Sequence, residues 1–254
     1  GVGVSYLLSR SIEAQRAFSG MMSEGIFLFF FIAALIPLTM SLIKQRQKNW
    51  LILAGVLAGF SVLARYAGIS VVATGFLAIL LLTRGKLAAR IKDSLRFAIP
   101  AVLISALWLV PVFLSTRTFG DRPVGSLSNP FGKATVYFSE FIKIWSGWLP
   151  YFQRGNHILS PAAKLLILFV ILAAMVGLII ARKRKSNSAF WALTIVLAAL
   201  CYLAVHLFSF VTANTQPDIN GRLLLPLLLL FYLFLPAILS SITSWIRIPL
   251  LGKI

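Results

Sequence analysis

The sequence predicts an all-α integral membrane protein, a polytopic bundle of about six or seven transmembrane helices. Hydrophobic residues make up 59% of the chain and charged residues 12%, about half the charged share of an ordinary soluble domain. Mean hydropathy is +0.93. Apolar runs of about 20 residues recur along the chain, the length that a hydrocarbon core about 30 Å thick demands. The whole of 1–254 reads as one transmembrane domain, and the lipid bilayer is its first partner.

The net charge of +18, from 24 basic and 6 acidic residues, would suit a nucleic-acid binder if it lay on one folded face. It does not. Lys44, Arg46 and Lys48 form one cluster; Arg84, Lys86, Arg90, Lys92 and Arg96 form a second; Arg182, Lys183, Arg184 and Lys185 form a third. Basic residues gathered in alternate loops are the positive-inside signature of membrane insertion, and no soluble domain remains to present a nucleic-acid surface. Cys201, the only cysteine, rules out an intrachain disulfide. With no N-glycosylation sequon either, the reading favours a bacterial inner (plasma) membrane.

Placing the three clusters on the cytoplasmic side orders the elements. Residues 1–8 read as the tail of a span that begins before Gly1. Residues 24–43 run inward to Lys44, 51–64 return outward, and 68–82 go back in, with Arg65 and Tyr66 at the turn between. Those two spans are short and carry Gly55, Gly59, Gly68 and Gly75, which permit close helix packing in a membrane. Residues 86–96 read as an interfacial helix, Leu87, Ile91 and Leu95 on one face and Lys86, Arg90 and Lys92 away from it. Residues 97–115 then span outward. The longest non-membrane segment, about 116–160, is an external loop rich in aromatics, among them Phe131, Tyr137, Phe141, Trp145 and Trp148. It suits either an interfacial belt or an aromatic wall for a sugar or headgroup. Residues 162–181 span inward, 189–211 outward and 223–239 inward. Of the six acids, only Asp93 falls on the basic side.

Ionisable groups at the edge of a membrane bundle are costly, so each needs a reason. Glu24 opens the first complete span, in SEGIFLFFF. An acid in a first helical turn is favoured by the helix dipole; the competing reading is a carboxylate facing an external cavity. Arg65 and Tyr66, in VLARYAG, sit between two short apolar runs. Arg65 either snorkels to the headgroups or lines an inward-dipping turn, where its fork suits a phosphate. Asp218 and Arg222 flank a short external loop, PDINGRLLLP, and either pair with each other or close the rim of the cavity. His206 reads as a packing residue, and His157 has no partner in sequence. There is no phosphate-binding glycine loop, HExxH or nucleophile elbow.

The order of an external SR…SE, an apolar span, a basic loop, LAGFSVLARYAGI, a long aromatic external loop and DINGRLLLPLLLL resembles the polytopic GT-C-fold glycosyltransferases, specifically the protein mannosyltransferase and aminoarabinose transferase-like family. The resemblance covers most of the chain as a loose pattern. It implies transfer of a sugar from a polyprenyl-phosphate donor to a lipid, glycan or protein acceptor on the extracytoplasmic face. By position it gives Glu24 a part in placing the acceptor or a divalent metal ion. Arg65, with Tyr66 beside it, and Arg222, with Asp218 near it, become the donor-phosphate contacts. Leu223 stands where relatives have Tyr. The family's catalytic acid lies in the first external loop, which would precede Gly1, so the resemblance implies an inactive chain when taken alone. The rival readings are a transporter, a lipid-linked oligosaccharide flippase, or a polymerase; no internal repeat of the transporter kind is evident.

Overall fold

The computed structural model describes residues 22–44, 47–83, 85–116, 130–148, 187–212 and 225–234, and every regular element among them is helical. We label the helices α1 (Met22–Ile43), α2 (Lys48–Ala64), α3 (Ile69–Leu82), α4 (Leu87–Thr116), α5 (Pro130–Trp148), α6 (Asn187–Thr212) and α7 (Leu225–Phe234). A 3-10 turn, Tyr66–Gly68, joins α2 to α3. The chain is thus an all-α membrane protein. α1, α4 and α6 are long and apolar enough to cross a bilayer, and α2, α3 and α7 are shorter apolar helices. The expected span at 162–181 lies outside the described residues.

α1 is the central helix. Its Phe27, Phe31, Ala34, Leu35 and Leu38 are buried, and more than half of its apolar window (56%) is enclosed, against 17% for α4. Phe30 stacks on Phe60 of α2, with ring centroids 5.3 Å apart. On the other side Phe27 and Phe31 meet Tyr202 of α6 at 6.4 and 6.2 Å. Thr39 and Ser41 donate to the carbonyls of Leu35 and Leu38 in their own helix, whereas the buried Ser94 hydroxyl donates across to the Phe76 carbonyl of α3 at 3.4 Å. Apolar contact and backbone closeness are the main ties between the helices, as expected where lipid competes for apolar surface.

Glycines set that closeness. A side chain at Gly55 would run into the Phe97 carbonyl, and one at Gly75 into the Phe97 ring. At Gly59 a Cβ would stand 2.8 Å from Ile104 Cβ and 2.9 Å from the Ala101 carbonyl oxygen. α2 and α4 are therefore in backbone contact and run the same way, 55 beside 97 and 59 beside 101–104. Gly68 lies against the Ser61 carbonyl, which folds the start of α3 back onto the end of α2.

Two expectations are corrected. Residues 86–96 and 97–115 are not two separate helices. They form one 30-residue helix, α4, unbroken at Pro100 and Pro111, because its buried face continues through Asp93, Ser94, Phe97 and Ala101. The external aromatic segment at 116–160 is not simply a loop, since 130–148 form the 19-residue helix α5. Its Tyr137 is fully buried while Phe131 and Phe138 are exposed, so the aromatics sort by face. Lys133 Nζ donates to the Val211 carbonyl at 3.2 Å, fixing α5 across the end of α6.

Gly68→Ala is expected to destabilise the bundle by at least about 1–3 kcal/mol, since backbone lies where the methyl must go. Gly25, with nothing within 4 Å of a Cβ, should accept alanine at no cost or with a gain of up to about 1 kcal/mol. Thermal unfolding of the two variants in detergent measures the contrast.

Candidate functional site

The break between α2 and α3 carries the most polar site among the described residues. Arg65 leaves the helix in an extended conformation, φ −156° and ψ 141°, with its N–H still bonded to the Ser61 carbonyl. Its own carbonyl accepts the Gly68 N–H at 2.8 Å. The chain thereby turns within three residues, and the Arg65 side chain is thrown across the bundle toward the start of α1. There Nη1 donates to Glu24 Oε1 at 2.8 Å, closing an ion pair between residues 41 positions apart. Glu24 is buried, its side chain 8% exposed, while Arg65 keeps 30%.

This pair is recessed. α2 and α3, of 17 and 14 residues, are only about 25 and 21 Å long, too short to span a core of about 30 Å. α4 continues eight residues past Trp108, and α6 ten past Tyr202, extensions of about 12 and 15 Å. Trp108 and Tyr202 both stand at the level of the pair, so it lies below the outer helix ends and not on the surface. Arg65 thus stands in a turn that lies short of the ends of α4 and α6.

A cavity of about 310 Å³ opens here, bounded by Glu24, Val62, Leu63, Ala64, Arg65, Tyr66 and Trp108. Among the described residues the second carboxylate oxygen, Glu24 Oε2, has no hydrogen-bond partner although it is buried. An orphaned buried acceptor costs about 1–3 kcal/mol, an expense that a ligand donor would remove. Arg65 has five N–H donors and is one-third open to the cavity, so the site offers an acceptor and several donors side by side. Directly alongside is a second cleft of about 410 Å³, almost wholly apolar, between Val62, Ile69 and Val72 on one wall and Val102, Leu109 and Phe113 on the other. The two share Val62, and Trp108 and Leu109 are neighbours on α4.

Behind the pair stands a polar aromatic row. Tyr202 is close enough to Arg65 and Glu24 to feel both charges. It stacks on His206 at 6.1 Å, and His206 meets Tyr137 of α5 at 5.6 Å. Burial pushes the Tyr137 phenol up to about 12, so it is a neutral group at any ordinary pH.

Of the expected site residues, the structure brings together Glu24 and Arg65 and puts Tyr66 on the cavity rim. Asp218 and Arg222 lie outside the described residues. The residues define a poor divalent-metal site. No group of three or more His, Cys, Asp or Glu side chains stands together among the described residues, and a guanidinium 2.8 Å from the lone carboxylate opposes a second cation. Trp108, Tyr202 and Tyr137 were not singled out by sequence as lining this region; each sits in an aromatic or apolar run that marks it no more than its neighbours. No known protein family, curated protein or solved structure matches the chain.

The ion pair is expected to show in stability. Arg65→Ala leaves a buried carboxylate unpartnered and should cost about 2–4 kcal/mol, somewhat below a fully buried pair because Arg65 is partly open. Adding Glu24→Gln should recover part of that loss, with a coupling of at least about 1 kcal/mol in a double-mutant cycle read by detergent-phase unfolding.

Proposed function

We propose that the protein is a membrane glycosyltransferase component that takes its sugar from a polyprenyl-phosphate donor on the extracytoplasmic side of the membrane. The observation that carries this reading is the contact between two unlike cavities. A recessed pocket holding an arginine and a half-satisfied carboxylate opens beside an apolar cleft. That pairing suits an amphiphile with an anionic head and a hydrocarbon tail.

In this reading the isoprenoid chain lies in the cleft past Val62, and the phosphate meets the Arg65 donors not spent on Glu24. The acceptor oxygen or nitrogen forms a bond to the anomeric carbon as the bond from that carbon to the phosphate oxygen breaks. The electron pair leaves with the phosphate, and the Arg65 charge offsets the developing negative charge where it appears. Glu24 Oε2 accepts a hydrogen bond from the incoming hydroxyl or amine and orients it. The family resemblance assigns the base that removes the acceptor's proton to an acid of the family's first external loop, and gives Arg222 and Asp218 a place at the rim. Tyr66 and Trp108 border the pocket where a sugar ring would sit.

The test is transfer of radiolabelled sugar from polyprenyl-phosphate donors in membranes from cells expressing the protein, alongside donor binding by the purified chain. Arg65→Ala should lower transfer at least about 100-fold, and Val62→Trp, which fills the junction between the cavities, should weaken donor binding. Transfer that survives Arg65→Ala sinks the reading. Solute uptake without any transfer puts the transporter in its place.

A further inference from the structure

We propose that the basic end of the bundle, opposite the Glu24–Arg65 pocket, carries a binding face for anionic phospholipid on the first turns of α4. At 30 residues, α4 is about 45 Å long, some 15 Å more than a hydrocarbon core about 30 Å thick. About ten of its residues must therefore lie among headgroups or in a strongly tilted helix. The surplus falls at the N-terminal end, where the charges are. On that stretch Leu87 (62%), Ile91 (42%) and Leu95 (47%) are exposed and form one stripe, continued by Ile99 and Leu103 along the lipid-facing side.

At 100° per residue Arg90 and Lys92 stand about 60° outside the two edges of the stripe and Arg96 further round, with Lys86 just before the first turn. The two arginines are held by the protein. Arg90 donates to the Gly85 and Leu80 carbonyls, at 3.0 and 3.3 Å. Arg96 pairs with the buried Asp93 at 2.7 Å. Lys86 and Lys92 are exposed, one on each side of the apolar stripe. Lys44 and Lys48, where α1 passes into α2, add exposed charge to the same end of the bundle. An apolar strip with exposed lysines at the headgroup end of the same helix matches a lipid whose acyl chains lie along the strip and whose phosphate is drawn toward Lys86 and Lys92. A zwitterionic headgroup would set its own cation against the same lysines. The occupant is thus the anionic lipid of the leaflet at that end, and the site owes nothing to the proposed sugar chemistry.

Native mass spectrometry of the purified chain with added phosphatidylglycerol or phosphatidylcholine tests this directly. The anionic lipid should be retained more tightly. Lys86→Gln with Lys92→Gln should reduce that preference between about fivefold and 25-fold, each lysine near an anionic surface being worth about fivefold. The double variant should unfold in detergent at the same temperature as the wild-type chain, since neither lysine is buried, so lost selectivity would not reflect misfolding. Leu95→Gln should weaken both lipids together. Equal retention of the two lipids by the wild-type chain overturns the proposal, as does a preference that survives both lysine substitutions.

Discussion

A charge pair below the outer rim of a membrane bundle constrains everything around it. Glu24 and Arg65 sit where water is scarce, so neither can be left alone without a large desolvation penalty. Three features follow from keeping them together at 2.8 Å. The α2–α3 turn must lie deep, which fixes both helices as short. Arg65 must be extended, which ends α2 where nothing in LARYAG before Gly68 would end it. Gly68 must have no side chain, because the turn folds onto the Ser61 carbonyl. The local backbone and the ion pair are one arrangement, and disturbing either moves the other.

The packing around the turn serves the same end. α4 lies against α2 through glycines, bringing Trp108 to the level of Arg65. Phe27 and Phe31 bring Tyr202 in from α6. Because α4 and α6 continue past these residues, the pocket becomes a recess whose walls are helix. An apolar cleft results on one side, where Val62 and Leu109 separate α3 from α4. A polar aromatic row results on the other, running from Tyr202 through His206 to Tyr137. The row links the pocket to α5, itself tied to the end of α6 by Lys133.

Composition and charge placement made the helical membrane class readable, because both are bulk properties that lipid imposes on every span. Glu24 and Arg65 were readable singly, since an ionisable residue at the end of an apolar run is rare enough to notice. Their pairing was not, because it joins residues 41 apart and nothing local in either segment names the other. Trp108 stayed hidden in ALWLVPV, a run in which one more apolar residue carries no signal. The α4 error has a similar source. The basic residues at 86–96 suggested a helix of their own, because the residues that bury Asp93 and Ser94, and so carry the helix through, belong to neighbouring helices. Aromatic density likewise concealed α5, whose helical character rests on which side of Tyr137 each ring falls.

The two described ion pairs differ in a way that bears on function. Asp93–Arg96 joins residues three apart on one helix and neutralises a buried acid. Glu24–Arg65 joins the start of one helix to the break between two others, and it leaves Glu24 Oε2 without a partner among the described residues and Arg65 30% exposed at the cavity. A pair serving stability alone gains from satisfying both partners fully, since each orphaned group subtracts from the benefit. The unsatisfied oxygen of Glu24 carries that cost among the described residues, and it borders an open cavity. A donor placed in that cavity would remove the cost, and the apolar cleft that adjoins it at Val62 leaves room for an apolar group beside the donor.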